Sequence, residues 1–286
     1  MIQITKADAG YPAVLGTIHS PPAQLYIRGG ELQTYMQRPR LAVVGSRKIS
    51  AYGKAVTAQL VSKLAACGVV IVSGLAFGVD AIAHRAALEA GGLTIAVLAC
   101  GVDRIYPASH HRLGEAILAQ GGAILSEYPP RTVAYKDQFV ARNRIVSGLS
   151  DGVLITEAAL KSGSLHTARF ALEQGREVLA VPGNITSEVS IGTNNLIKAG
   201  ATPVTSLDDI LHALGWEYLQ ASNKAVLRGS TPEEQTVLNL LAAGATEGAE
   251  LLAKSELSIQ AFNQTLTMLE ITGKIRALGN NQWGFG

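Results

Sequence analysis

The chain has 286 residues, 48% of them apolar, enough to bury a sizeable core in one large domain plus a small one. Its formal charge of +2 is unevenly spread: residues 1–230 carry 21 Lys and Arg against 16 Asp and Glu, and residues 231–286 carry 3 against 6, so a polyanion is predicted to prefer the larger part. Neither Cys67 nor Cys100 belongs to a Cys-x-x-Cys pair or a zinc-type Cys/His cluster, and no signal pattern or apolar run of about 18 residues occurs, which excludes a cysteine metal site and a membrane span and points to the cytoplasm.

Residues 1–40 contain "YPAVLGTIHSPPAQLYIRGG", with three prolines and three glycines. They read as a lead-in that packs on a sheet, not as a domain. From residue 41 to about 215, short Val- and Ile-rich runs alternate with amphipathic stretches. Strands are predicted at Leu41–Val44, Val69–Val72, Thr94–Leu98, Ala123–Leu125, Val153–Ile155 and Val178–Val181. Helices are predicted at Ala51–Ala66, Ala81–Ala90 and Ser164–Gln174. This alternation specifies an α/β fold, a Rossmann-like, doubly wound, mostly parallel sheet. Residues 216–230 read as a linker. Residues 231–286 read as three helices and a hairpin, the pattern of a small winged-helix domain.

In such a sheet, ligands bind at the carboxyl ends of the strands. The first strand runs into Gly45-Ser46-Arg47. This turn is neither G-x-G-x-x-G nor G-x-x-x-x-G-K-[ST], but it offers a tight bend, a hydroxyl and a guanidinium fork for phosphate. The second strand ends in "SGLAFGVDAIAH", which holds Ser73, Gly74 and Gly78. There Asp80 is expected to accept backbone hydrogen bonds at a helix start, with His84 as its structural partner. The third strand leads to Gly101, Arg104, Tyr106, His110 and His111, and the fourth to Glu127. Next comes "KDQFVARNR", where Phe139 stands among Lys136, Arg142 and Arg144. An exposed aromatic among cations stacks a nucleobase while tracking its backbone. The competing reading buries Phe139 with Ile145 and Leu149 and pairs Arg144 with Glu157. After the fifth strand, Lys161 and His166 flank Ser162-Gly163-Ser164, which opens a helix whose amides suit an anion. A Pro182-Gly183 turn follows the sixth strand. Several anion-friendly turns on one rim, with no metal cluster and no cofactor motif, favour a ligand with many phosphates.

"VVGSR", "SGLAFGVDAIAHRAAL", "GVDRIYP", "SEYPP", "FVARNRIVSGLS", "EAALKSGSLHTARFALEQGREVLAVPG" and "GTNNLIKAGA" occur in that order. Together they resemble the DNA-processing protein A (DprA, or Smf) family. The resemblance implies a domain that binds single-stranded DNA and forms a homodimer. It also implies that the protein protects incoming DNA and loads RecA recombinase onto it during natural transformation, without catalysis. By resemblance, Gly45, Ser46, Arg47, Ser73, Gly74, Phe139, Arg142, Asn143, Arg144, Lys161 and Ser162 line the DNA site. The chain departs from the family pattern in three places. Phe77 stands where many relatives have arginine, "FVARNR" stands where many have F-P-x-R-N-R, and 40 residues are too few for the helical domain that often precedes the sheet.

A phosphoribohydrolase of the same fold is the alternative. It needs a glutamate at the position of Thr167, and a threonine supplies no carboxylate for general acid–base work. A nicotinamide oxidoreductase lacks its glycine motif here. The last predicted helix, "SIQAFNQTLTMLEITGK", offers Gln260, Asn263 and Gln264 but a single cation at its end, so this segment is expected to add little DNA affinity and to serve a protein contact or autoregulation.

Overall fold

The structure is a computed structural model and describes residues 1–219 and 229–285. The chain divides into two compact units, Met1–Glu217 and Tyr218–Gly286. In the first, nine strands form one sheet in the order β1-β2-β6-β5-β4-β3-β7-β8-β9. The strands are β1 (Ile2–Thr5), β2 (Gln24–Gly29), β3 (Arg40–Val44), β4 (Val70–Ser73), β5 (Thr94–Val97), β6 (Ala123–Ser126), β7 (Gly152–Ile155), β8 (Glu177–Ala180) and β9 (Thr202–Pro203). Pairing is parallel from β6 through to β9 and antiparallel at β1–β2 and β2–β6.

The lead-in is therefore part of the sheet and does not merely pack on it. Ile27 and Tyr26 pair with Leu125 and Ser126, and β1 pairs outside β2. Its prolines and glycines hid two strands, β2 paired to β6 and β1 paired to β2.

Successive strand residues point to opposite faces, so a run of apolar residues serves two helical layers. Ile95 and Val97 join a core with Leu15, Ile145 and Ala168, while Ala96 and Leu98 join another with Leu113 and Ile117. The helices of this unit are α1 (Ala13–Gly16), α2 (Leu32–Met36), α3 (Ala51–Ala66), α4 (Val79–Glu89), α5 (His111–Ala119), α6 (Lys136–Gly148), α7 (Ser164–Glu173), α8 (Ile191–Lys198) and α9 (Leu207–Ala213). The start of α3 is fixed by Ser50, whose Oγ accepts from the Gly53 amide at 3.0 Å, and by Glu157, whose carboxylate accepts from the Ser50 amide at 2.8 Å.

The second unit holds α10 (Pro232–Ala242), α11 (Gly248–Ser255), α12 (Ile259–Ile271) and an antiparallel pair, β10 (Ile275–Gly279) and β11 (Gln282–Phe285). Val237, Leu238, Leu251, Phe262, Leu269 and Ile275 close its core. Within the expected linker 216–230, Trp216 is buried and its backbone N–H donates to the Leu211 carbonyl at 2.7 Å. Residues 220–228 of that stretch lie outside the described residues.

His84 ties α4 to the sheet. The Thr94 hydroxyl gives its proton to Ile71 O at 2.8 Å, so the His84 ring donates from Nδ1 to Thr94 Oγ1 at 2.7 Å. The partner expected from sequence, Asp80, instead accepts from the Gly74 and Ala76 amides at 3.1 and 3.3 Å. Burial of His84 pushes its pKa down to about 3. The unfolded chain, with a histidine pKa of about 6.5, takes up a proton that the folded state refuses. Stability is therefore expected to fall as pH drops from about 6.5 towards 3, and His84→Gln should flatten that slope in urea titrations. Parallel pH profiles for the two proteins would contradict this account.

Candidate nucleic-acid interface

The stretch "KDQFVARNRIVSG" forms α6, thirteen residues long. At 3.6 residues per turn, Lys136, Phe139, Val140 and Asn143 fall at i, i+3, i+4 and i+7 on one face. All four line a cleft of about 870 Å³ at the carboxyl ends of the strands. Opposite them stand Gly45, Ser46, Arg47 and Lys48 after β3, and Lys161, Ser162, Gly163 and Ser164 leading into α7. Tyr106, His166 and Thr167 complete the wall, with Asp80 and Glu188 as the lining carboxylates. Asn143 joins two sides by donating to Gly163 O at 3.3 Å.

Phe139 faces the cleft and is half-buried. The Arg47 guanidinium lies 5.2 Å from its ring centroid, within cation–π range, and Tyr106 meets it at 5.5 Å between centroids. Arg47, Lys48, Lys136 and Lys161 are exposed and make no ion pair among the described residues. Lys48 was missed from sequence although it adjoins Arg47; the adjacent pair of cations was the available signal.

Arg142 is buried beneath this surface. Its Nη1 donates to Gly74 O at 2.7 Å and to Val97 O, and its Nε donates to Asn143 Oδ1 at 3.2 Å. Burial holds its pKa below the usual arginine range, partly offset by Asp80. The same burial pushes the Asp80 carboxyl up, with Arg142 pulling it back. Arg142 lines the cleft floor, but these bonds make it a brace between α6 and the ends of β4 and β5.

Five residues expected in the site lie elsewhere. Arg144 is two residues beyond Arg142, about 200° round the helix, and points away. It grips Glu127 in a two-pronged ion pair at 2.7 and 2.6 Å and donates to Ser20 O and Ala141 O at 2.7 Å each, so four of its five N–H donors and its charge are already engaged. Glu127, not Glu157, is thus its partner. Ser73 is fully buried and donates to Val43 O at 2.7 Å. The Gly74 amide is held by Asp80, and a Cβ there would overlap the Arg142 guanidinium. Gly78, with φ +76°, is a close-approach residue against the Ser46 and Arg47 carbonyls. Gly101 lies under the 129–132 loop and bonds Thr132 O at 3.0 Å.

The expected amide cradle is also closed from within. The Ser46 amide donates to Glu157 O at 2.7 Å, and the Ser46 hydroxyl to Lys48 O at 2.9 Å. The Gly183 amide donates to Asn194 Oδ1 at 3.1 Å. Anion attraction in this cleft thus comes from long cationic side chains and from the N-terminal end of α7. The remaining histidines also resolve: His110 is buried and donates from Nδ1 to Leu75 O at 2.9 Å, and His111 is exposed beside Glu115.

Residues 3–215 match the family model for DNA recombination-mediator protein A, and residues 221–281 match the DprA winged helix domain. The chain belongs to this family. It is 49% identical over 204 residues to Protein Smf of Escherichia coli, matching 71% of this chain and 54% of the relative. It is 43% identical over 204 residues to the DNA processing protein DprA of Bacillus subtilis, 71% of this chain and 68% of the relative. The chain therefore spans about half the length of the E. coli relative. Among solved structures, DprA of Streptococcus pneumoniae superposes with TM-score 0.69 at 41% identity, covering 74% of this chain and 73% of that one. DprA of Helicobacter pylori, described for its single-stranded DNA binding mode, gives 0.66 at 36% identity, covering 74% and 95%. The DprA fold of the first unit and the winged helix of the second are thereby confirmed.

If Arg144 is a brace in this DprA chain, Arg144→Ala should lose about 3 kcal/mol of stability, because it strands a largely buried Glu127. Urea unfolding of the full chain measures this; an unchanged midpoint would return Arg144 to the pool of available cations.

Proposed function

We propose that the cleft holds single-stranded DNA and that the protein acts as a passive mediator, not an enzyme. One observation carries the reading: four exposed cations with no ion pair among the described residues surround a half-buried phenylalanine in one open cleft. Long cationic side chains follow phosphates without reading sequence, and an aromatic ring accepts any base. Gly45 and Ser46 shape the turn that presents Arg47. Ser162, Gly163 and Ser164 bring the positive end of α7 to the wall. Duplex DNA suits this surface less well, since its bases are not free to splay onto the ring.

Thr167, at the position where a phosphoribohydrolase would carry its glutamate, is a buried hydroxyl and supports binding over bond cleavage. Membership of the family supports the wider role. In it the protein works in the cytoplasm as a homodimer, protects incoming strands, and hands them to RecA recombinase during natural transformation. Among the described residues, no helix is long and apolar enough to cross a membrane.

The winged helix contributes little to this binding. Lys254 pairs with Glu250 at 2.6 Å and Lys274 with Glu234 at 3.0 Å, so Arg276 is its one cation outside an ion pair among the described residues. Its task is a protein contact or autoregulation.

Arg47→Ala should weaken binding to oligothymidylate and reduce the log–log salt slope by about 0.7, the share of one phosphate contact. Phe139→Ala should cost about 1–3 kcal/mol with the slope kept. Fluorescence anisotropy across a salt series reads both, and wild-type affinity for Arg47→Ala would defeat the reading. Removing residues 225–286 should cost less than about tenfold in affinity, since few phosphate contacts are lost; a larger loss would give the winged helix a direct part in binding.

A further inference from the structure

Phe77 is 49% exposed, an unusual position for a phenylalanine on a rigid loop. The loop that carries it is fixed on every side. Leu75 is fully buried in the left-handed region at φ +57°, which turns the chain outward at a cost of about 1–2 kcal/mol. The Leu75 carbonyl accepts from buried His110, and Asp80 holds the amides of Gly74 and Ala76. Gly78 abuts the backbone of Arg47. The Phe77 ring itself is set against His110, with centroids 4.9 Å apart and planes at 65°. The ring is thus held by one neighbour while about half of the residue stays in water.

Its location gives this exposure a use. Ala76, the preceding residue, lines the cleft. Tyr106, four residues before His110, lines it too and touches Phe139. The 106–110 segment therefore links the ring inside the cleft to the ring outside it. We propose that Phe77 is a second stacking platform, which takes a nucleobase of the strand as it leaves the cleft past Tyr106. The proposal rests on the single-strand reading above and extends it to a base beyond the cleft. A flat hydrocarbon ring releases no counterion, so Phe77 adds affinity without adding salt dependence. It has no base-edge donor or acceptor, so it takes any base.

The test compares Phe77→Ala, Phe77→Trp and Arg47→Ala in the full chain, against long oligothymidylate and a series of shorter ones, over a salt range. Phe77→Ala should keep the wild-type thermal midpoint and weaken long-strand binding about five- to tenfold, the lower range for one stacked base. Its salt slope should stay unchanged, Phe77→Trp should restore affinity, and the loss should vanish for strands too short to leave the cleft. Wild-type affinity for Phe77→Ala with weakened Arg47→Ala would overturn this platform and leave the cleft standing. A fall in salt slope for Phe77→Ala would also overturn it, because the ring would then act by positioning a cation. If both variants bind as wild type, the cleft reading fails and the platform with it.

Discussion

The architecture of the cleft depends on one buried guanidinium. Arg142 reaches down from α6 to the carbonyls of Gly74 and Val97, where β4 and β5 end. Gly74 follows the last residue of β4 and Val97 is the last residue of β5, and a buried carbonyl at a strand end needs a donor. Only a glycine leaves room at position 74, and Asp80 secures that residue's amide from the other side. A charge buried this deeply is tolerated because it is hydrogen-bonded and has Asp80 nearby. With the floor pinned, α6 is set in rotation, and its face of Lys136, Phe139 and Asn143 must look into the cleft.

That rotation explains what the sequence disclosed and what it concealed. The six central strands were readable because Val and Ile runs buried on both faces leave an unbroken apolar signature. The stretch "KDQFVARNRIVSG" left none, since arginines occupy helix positions that apolar residues would normally mark. Without the helix, Arg142 and Arg144 read as a matched pair of phosphate ligands. With it, they part to opposite sides, one bracing strands and one locked to Glu127, 17 residues earlier. Likewise the glycine turns announced close backbone approach, correctly, but not which partner approached. At Gly78 it is the Ser46 carbonyl, and at Gly101 the 129–132 loop.

The closed turns change the character of the binding surface. Backbone amides aimed at a ligand are rigid and select one geometry. Lysines and arginines on exposed positions surrender side-chain entropy when they bind and accept many backbone paths. Such a surface suits a chain that must be held along its length and later released. The fixed elements are aromatic: Phe139 is bracketed by Arg47 and Tyr106, and the loop bearing Phe77 is set from both sides.

At the far side of the sheet, β9 is only two residues long and ends in Pro203. A proline has no amide hydrogen to offer a further strand, so the ladder terminates there. That flank of the sheet is thereby a poor template for a tenth strand, whether the strand comes from this chain or from another copy of it.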